Sequence, residues 1–174
     1  MSDSIDGLPI LPHVSAEFYT WLWFTSEVQE CVFQLGEEVG QVELWIDERL
    51  TFRSPNESKV AAVMTGENPS TTLEARAALA GGKVLNDLRI GMRRDDREFF
   101  FTLKGPEMHL QGVKLPQVLN EQVDEMLYDR VFLYEELGHV VSALFKQFAV
   151  VRSGAEWRGA VVPAMERWIE GQPL

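Results

Sequence analysis

Clustered carboxylates are the groups in this chain most able to do chemistry, and the densest cluster lies in the segment RRDDRE at residues 93–98. Asp95, Asp96 and Glu98 could hold Mg²⁺ in a nuclease, because hard cations take clustered oxygen ligands. The three acids are interleaved with three arginines, a pattern more typical of a solvated hairpin turn of mixed charge. We therefore expect no catalytic residue in this segment and no enzyme activity.

Other catalytic and metal-binding patterns are missing from the sequence. His13, His109 and His139 are too far apart to form a local metal motif, and Cys31 is the single cysteine. There is no GxSxG elbow, no GxxxxGK phosphate loop and no GxGxxG motif. We expect neither a metal nor a cofactor.

The segment AGGKV at residues 80–84 resembles a phosphate loop only superficially. A phosphate loop precedes its helix, so that the positive end of the helix dipole faces the phosphate. Here Gly81 and Gly82 follow the helix-forming run EARAALA. Lys83 is therefore either a fixed charge for an anionic partner or a solvated turn residue.

The sign of the charge varies along the chain. The whole sequence has a net charge of −11, which disfavours nucleic acid at long range. Residues 83–114 contain seven basic and five acidic residues, a net charge of +2, and the rest of the chain has −13. This stretch supplies the candidate DNA contacts: Lys83, Arg89, Arg93, Arg94 and Arg97. They form one basic face only if the strands keep register through the turn, and a scattered solvated surface is the open alternative.

The first half of the chain predicts one helix followed by strands. Residues 1–14 read as a flexible tail, and Ser15 can cap a largely buried helix over AEFYTWLWFTSEVQE. From Val32 the apolar period changes to two, and VFQL, QVELWID, RLTFR and KVAAVMT predict three or four antiparallel strands. These strands form the first of two expected meanders.

The second half of the chain predicts a helix, then three strands, then further helices. A middle helix begins near Pro69-Ser70 and stops at Gly81-Gly82. KVLNDLRIGM, REFFFTLK and MHLQGV then predict a three-stranded meander. A long helix follows from Glu121 to about Val151, and a last amphipathic piece is kinked or restarted by Pro163. The class is α+β, with two antiparallel β-meanders, an N-terminal helix, a middle helix and long C-terminal helices.

Length and composition fit one globular domain. The chain has 174 residues, of which 45% are hydrophobic and 25% charged. We expect a single domain over residues 15–174, with possible sub-units at 15–68 and 69–174. The lone cysteine and the lack of a leader pattern indicate the cytoplasm, and no segment is long and apolar enough to span a membrane.

Several ordered segments resemble the RdgC family of recombination-associated DNA-binding proteins. In the second half these are ARAALAGGKVLNDLRIGM, REFFFTLKGPEMHLQGVKLPQVL and LYDRVFLYEELGHVVSALFKQF. EFYTWLWFTSE and VELWIDERLTF in the first half resemble longer, more divergent members. The likeness spans roughly residues 16 to 168 and corresponds to the C-terminal part of RdgC, without a counterpart of its N-terminal half.

The resemblance implies a nucleoid-associated protein that binds DNA without sequence preference and modulates RecA-type strand exchange, in a family whose dimers encircle duplex DNA. Gly82-Lys83 matches the Gly-Lys joint of the family, so Lys83 would contact phosphate, with the arginines of residues 89–97 as neighbours. The family has also been labelled an exonuclease, but the weak carboxylate pattern gives no physical reason to adopt that activity.

A second hypothesis comes from the acidic remainder of the chain. An acidic surface with an exposed apolar helix face would bind another protein, such as a recombinase or an RdgC-like N-terminal partner, without contacting DNA. The near-heptad row on the long helix and the tryptophans Trp157 and Trp168 predict a homodimer, although the chain's own sheet could cover the same side chains.

Overall fold

The computed structural model describes residues 11–57, 59–67 and 73–173 and has the expected α+β class. The elements, in chain order, are α1 (Leu11–Val28), β1 (Val32–Gln34), α2 (Gly36–Val39), β2 (Gln41–Arg53), β3 (Val60–Thr65), α3 (Leu73–Ala80), β4 (Val84–Arg94), β5 (Arg97–Lys104), β6 (His109–Lys114), α4 (Val123–Ser153), a π-helical turn (Trp157–Val161) and α5 (Val162–Ile169). In these ranges no helix combines the length and hydropathy that a transmembrane helix requires.

The two expected meanders are joined into one antiparallel sheet of six strands. The strand order is β1-β2-β4-β5-β6, and β3 also pairs with β2. One edge of β2 pairs with β4 along most of its length, whereas β1 and β3 share the other edge. The long β2–β4 pair therefore connects the first half of the chain to the second.

Strand β2 decides between the three and the four strands expected in the first half in favour of three, because QVELWID and RLTFR belong to the same strand. It is one continuous strand of 13 residues. Ile46 pairs with Ile90 and Leu50 with Leu88, so three residues of β2 lie opposite the single residue Arg89. Glu48, in the middle of this bulge, has a φ of 27°. The bulge accommodates the extra residues of β2, so the strand continues although its apolar alternation is interrupted.

The hairpins of the second meander are confirmed. Arg94 pairs with Arg97, which leaves Asp95-Asp96 as a two-residue turn, and Asp95 has a φ of 53°. Aspartate tolerates this left-handed conformation better than most residues, and two-residue hairpin loops need it. Alternate residues of β4 and β5 are buried beneath the helices, and the others face the open side of the sheet.

Helix α1 is buried on nearly all sides, as the sequence predicts, and begins at Leu11 rather than Ser15. It contacts β2 and β4 on one side and α4 and α5 on the other. Phe18 illustrates this position, since its ring lies 5.3 Å from both Phe145 and Phe148 of α4. A helix that is hydrophobic all round is stable only in such a central place.

Glu27, at the C-terminal end of α1, holds three helices together. Its carboxylate accepts hydrogen bonds from the indole N–H of Trp23 at 2.8 Å and of Trp168 at 2.7 Å. Arg76 of α3 donates to the same carboxylate at 2.6 Å, and its guanidinium lies 5.0 Å from the Trp168 ring. A partly buried carboxylate is thus fully partnered at the junction of α1, α3 and α5.

The middle helix ends as expected at the double glycine, while its expected start at Pro69-Ser70 lies outside the described residues. Gly82 has a φ of 81°, and its N–H donates to the carbonyl of Leu79. The N–H of Lys83 donates to the carbonyl of Ala78 at 3.0 Å. These two bonds make a Schellman motif, for which glycine is the favoured residue.

Position 91 of β4 must be a glycine, because the indole of Trp45, its paired residue on β2, occupies the space that a side chain would need. A Cβ at position 91 would lie 2.2 Å from Cε2 of Trp45. We expect Gly91→Ala to lower the free energy of unfolding by about 1–3 kcal/mol, because the indole must move. Gly138→Ala is the control, since its Cβ would meet no atom within 4 Å and alanine favours helix. Urea denaturation measures both, and equal stability of the two variants would contradict the packing argument.

Candidate functional site

Two of the five candidate DNA contacts bind a buried acid. Arg94 donates to Oε1 of Glu136 at 2.8 Å, and Arg97 makes two bonds of 2.7 Å to the two oxygens of the same carboxylate. The side chain of Glu136 is only 6% exposed. The β4–β5 turn is thereby fixed to helix α4, and the two guanidinium groups share the single negative charge of this carboxylate.

Arg93 lies on the opposite, open face of the sheet between two acids. It contacts Glu98 at 2.8 Å and Glu43 at 3.1 Å, and its guanidinium lies 5.9 Å from the Trp45 ring. The hydrogen bond to Glu98, together with the charges of Glu43 and Glu98, raises the pKa of Arg93. The charge is exposed to solvent but already paired within the sheet.

Arg89 is largely buried on the same open face. It donates to the carbonyl of Gly112 at 2.8 Å, and its Nε lies 3.6 Å from Asp47 in the β2 bulge. Burial, followed by the charge of Glu48, raises the pKa of Asp47, and the charge of Arg89 opposes that rise. Arg89 therefore links β4, β6 and the bulge, which is a structural role.

Lys83 lies apart from the arginines, at the end of α3. Its half-buried side chain lines a mainly apolar pocket with Trp157, Met165 and Glu166. None of the ion pairs formed by the described residues includes Lys83. Lys83 does not have the neighbouring arginines that the resemblance implies, and its role as a fixed charge for an anionic partner stays a prediction.

The five residues therefore do not form the single basic face considered from the sequence. Consecutive strand residues point to opposite faces, so Arg93 and Arg94 are separated by the sheet itself. Arg94 and Arg97 are directly opposite in register and share the helix-covered side. The alternative of a scattered charged surface is the one that the structure has, because strand alternation and ion pairing distribute these side chains.

The remaining chemical groups are spread over the surface. Asp95 and Asp96 form the hairpin turn, and the side chain of Asp95 is 80% exposed. Among the described residues, no three His, Cys, Asp or Glu side chains are placed to hold a metal ion. Burial, with the charges of Glu43 and Glu27, raises the pKa of the Cys31 thiol, which disfavours the reactive thiolate.

The apolar row noted on the long helix is used within the chain. The buried residues of α4 are Leu133, Glu136, Leu137, Val140, Leu144 and Phe148. Trp157 and Trp168 are buried as well. These side chains were the basis for expecting a homodimer, so the homodimer stays a prediction without that support.

Helix α4 carries a second apolar row that the fold leaves uncovered. Val123, Leu127, Val131 and Tyr134 lie within about 80° of one another at 3.6 residues per turn, and we call them the α4 stripe. Leu127 is 62% exposed and Val123 77% exposed. At 3.6 residues per turn, the centre of the buried apolar row lies roughly 95° around the helix from the centre of the α4 stripe, so the stripe is a separate face from the one that packs on the core.

The α4 stripe and the partner of the arginines were missed from the sequence, although both leave a signal there. Glu136 lies about 40° beyond Val140, at the margin of the helical arc of Leu133, Leu137 and Val140, where burial of an acid requires a partner. Residues 123–134 also contain more large apolar side chains than one helix face can bury. Neither signal identifies the partner.

The ion pairs of Glu136 give a test of this geometry. We expect Glu136→Gln to lower the free energy of unfolding by about 1–3 kcal/mol, because two arginines then lose their counter-charge. Glu135→Gln, at the adjacent exposed position, should change it by less than about 0.5 kcal/mol. Chemical denaturation compares the two variants, and equal effects would show that Glu136 is not the anchor.

The comparisons with known proteins assign no family. No protein-family model matches the sequence, and neither the curated proteins nor the solved structures give a match. The RdgC resemblance therefore stays a prediction, and the function has to be argued from the surface of this chain.

Proposed function

We propose that this chain is an acidic protein-interaction module that binds its partner through the α4 stripe. The observation that carries the proposal is a concentration of exposed apolar side chains. Of the twelve large hydrophobic residues exposed in the described part of the chain, seven lie between residues 119 and 134. They are Leu119, Val123, Leu127, Tyr128, Val131, Phe132 and Tyr134.

The position of these residues in the fold supports a docking role. From Val123 to Phe132, nearly every residue of α4 is exposed, so about ten residues, or roughly 15 Å of helix, are left largely uncovered by the rest of the described chain. Soluble monomers rarely expose a contiguous apolar patch of this kind, and large patches mark binding sites. An ordered helix is also already in its bound shape, which lowers the entropic penalty of association.

The resemblance to RdgC adds a candidate for the partner. Under that resemblance, the partner is a recombination protein or an RdgC-like N-terminal half. The acidic character of the chain, with a net charge of −11, agrees with a partner that presents basic residues.

Substitutions in the α4 stripe test the proposal. We expect Leu127→Glu with Val131→Glu to weaken partner binding at least 100-fold, since each side chain contributes about 1.5–3 kcal/mol when buried. Folding should persist, because both positions are exposed. The measurement is affinity for partners captured from nuclease-treated lysate.

Val60→Glu with Val63→Glu provides the matched control. Both valines are exposed on strand β3, and the pair adds the same two negative charges far from α4 in sequence. Capture of the same partners at the same strength by both double variants would refute the α4 stripe as the binding surface.

DNA binding is the second candidate function, and one observation favours it. Arg93, Arg97 and Lys114 line the same groove beside Phe100 on the sheet. Asp96 and Glu98 line it as well, so the groove is only weakly cationic. Phosphate contacts there would require the existing ion pairs of Arg93 and Arg97 to exchange partners.

A salt titration of duplex binding tests this second candidate. If the groove holds phosphate, Lys114→Ala should lower the slope of log K against log salt by about 0.9. Lys83→Ala should do the same if the resemblance assigns Lys83 correctly. Lys59→Ala, at an exposed position next to β3, serves as the control. Absence of duplex binding at low salt, or an unchanged slope in both variants, would exclude these contacts.

A further inference from the structure

A pocket of about 350 Å³ lies between α1, the α3–β4 connection and the helical segments that follow α4. Apolar side chains from all three parts line it, among them Ala16, Leu79 and Met165. Trp157 and Met165 are each only 7% exposed and belong to the hydrophobic core, so the pocket reaches down to the core. Small-molecule sites have volumes of about 300–1,000 Å³ and mostly apolar linings. The pocket therefore has the size and lining of a site for a small ligand.

The π-helical turn Trp157–Val161 forms one wall of this pocket. The N–H of Val162 donates to the carbonyl of Trp157, five residues earlier, and both residues line the pocket. Single π-helical turns are rare and are frequent at functional sites, where they redirect side chains of a helical segment. The irregular part of the C-terminal helical segments thus coincides with the pocket.

Lys83 is the one basic side chain among the described residues that line the pocket. It is half-buried, and its ammonium group forms no hydrogen bond or ion pair with any described residue. A cation that is partly removed from water is stabilised by a negative partner. The position of Lys83 beside an apolar pocket therefore favours a ligand that supplies a negative charge.

The two acids of the lining do not neutralise Lys83, but they limit the charge of the ligand. Glu17 is paired with Arg152 of α4, and Glu166 is exposed to solvent. The C-terminal end of α3, which is the negative end of its dipole, lies next to Lys83. A dianion such as a phosphate monoester would meet these negative groups, whereas a single negative charge matches the single ammonium group.

We propose that this pocket binds a small monocarboxylate with an apolar body. The carboxylate contacts the ammonium group of Lys83, and the apolar chain or ring packs against Trp157 and Met165. The fixed charge at the end of α3 thus has an anionic partner other than DNA phosphate. The inference is independent of the proposed function, because none of the described residues that line the pocket belongs to α4.

Three probes that differ only in the head group test the inference on the intact chain: octanoate, 1-octanol and octylammonium. We expect octanoate to bind at least ten-fold more tightly than either of the others by isothermal titration calorimetry at low salt. Octanoate should also shift the indole N–H resonance of Trp157 in a ¹H–¹⁵N spectrum, with Trp157→Phe used to assign that resonance.

Variants of the chain locate the bound carboxylate. Lys83→Met removes the charge but keeps a side chain of similar length, so it should weaken octanoate at least ten-fold and leave octanol unchanged. Lys59→Met removes the same charge from an exposed position and should change neither affinity. Val162→Phe should weaken octanoate and octanol alike, because the larger side chain occupies the pocket.

Several outcomes would overturn the inference. Absence of binding at millimolar octanoate is one, and equal affinities for octanoate and octylammonium are another. Octanoate affinity that is the same in Lys83→Met and Lys59→Met would show that the carboxylate does not contact Lys83. The comparison of these two variants decides the matter even if Val162→Phe does not fold. Leu127→Glu with Val131→Glu should leave octanoate binding unchanged, which separates this site from the α4 stripe.

Discussion

The position of helix α4 depends on one buried carboxylate, that of Glu136. It receives Arg94 and Arg97 from 42 and 39 positions earlier in the chain. A carboxylate this well buried is strongly destabilising unless it is paired, so the three side chains must meet whenever the protein is folded. From Leu133 onward α4 packs into the core, and the turns before it are left largely uncovered.

The same contact explains why the local sign of the charge is a poor guide to the surface. The stretch 83–114 has a net positive charge, yet acids from outside it, Glu43, Asp47 and Glu136, pair with its arginines. Which charged side chains remain free to attract a partner therefore depends on the ion pairs that form in the folded chain. Among the described residues, the clearest uncovered feature is the apolar α4 stripe.

The sequence was sufficient for the class of the fold and for most of its elements. Period-two segments predicted the hairpins of the second meander, and the double glycine predicted the end of α3 because few other residues adopt the required φ. Whether the first half has three strands or four could not be decided from the sequence, since a bulge at Glu48 breaks the alternation locally while long-range pairing with β4 preserves β2 as one strand. The ion-pair partners of the arginines could not be predicted either, because no rule based on local sequence connects Arg94 with Glu136. The sequence shows an excess of large apolar residues over residues 123–134, but only the folded structure shows which row of α4 is buried and which is the α4 stripe.

The central place of α1 has a consequence for how the chain is made. Helix α1 is synthesised well before Trp168, which lies 141 positions after Glu27 and covers the C-terminal end of the helix. Until α5 has been synthesised, the aromatic surface that Trp23 and Phe24 present to Trp168 stays unshielded. Contacts of such long sequence separation slow folding and prolong the exposure of apolar surface to aggregation.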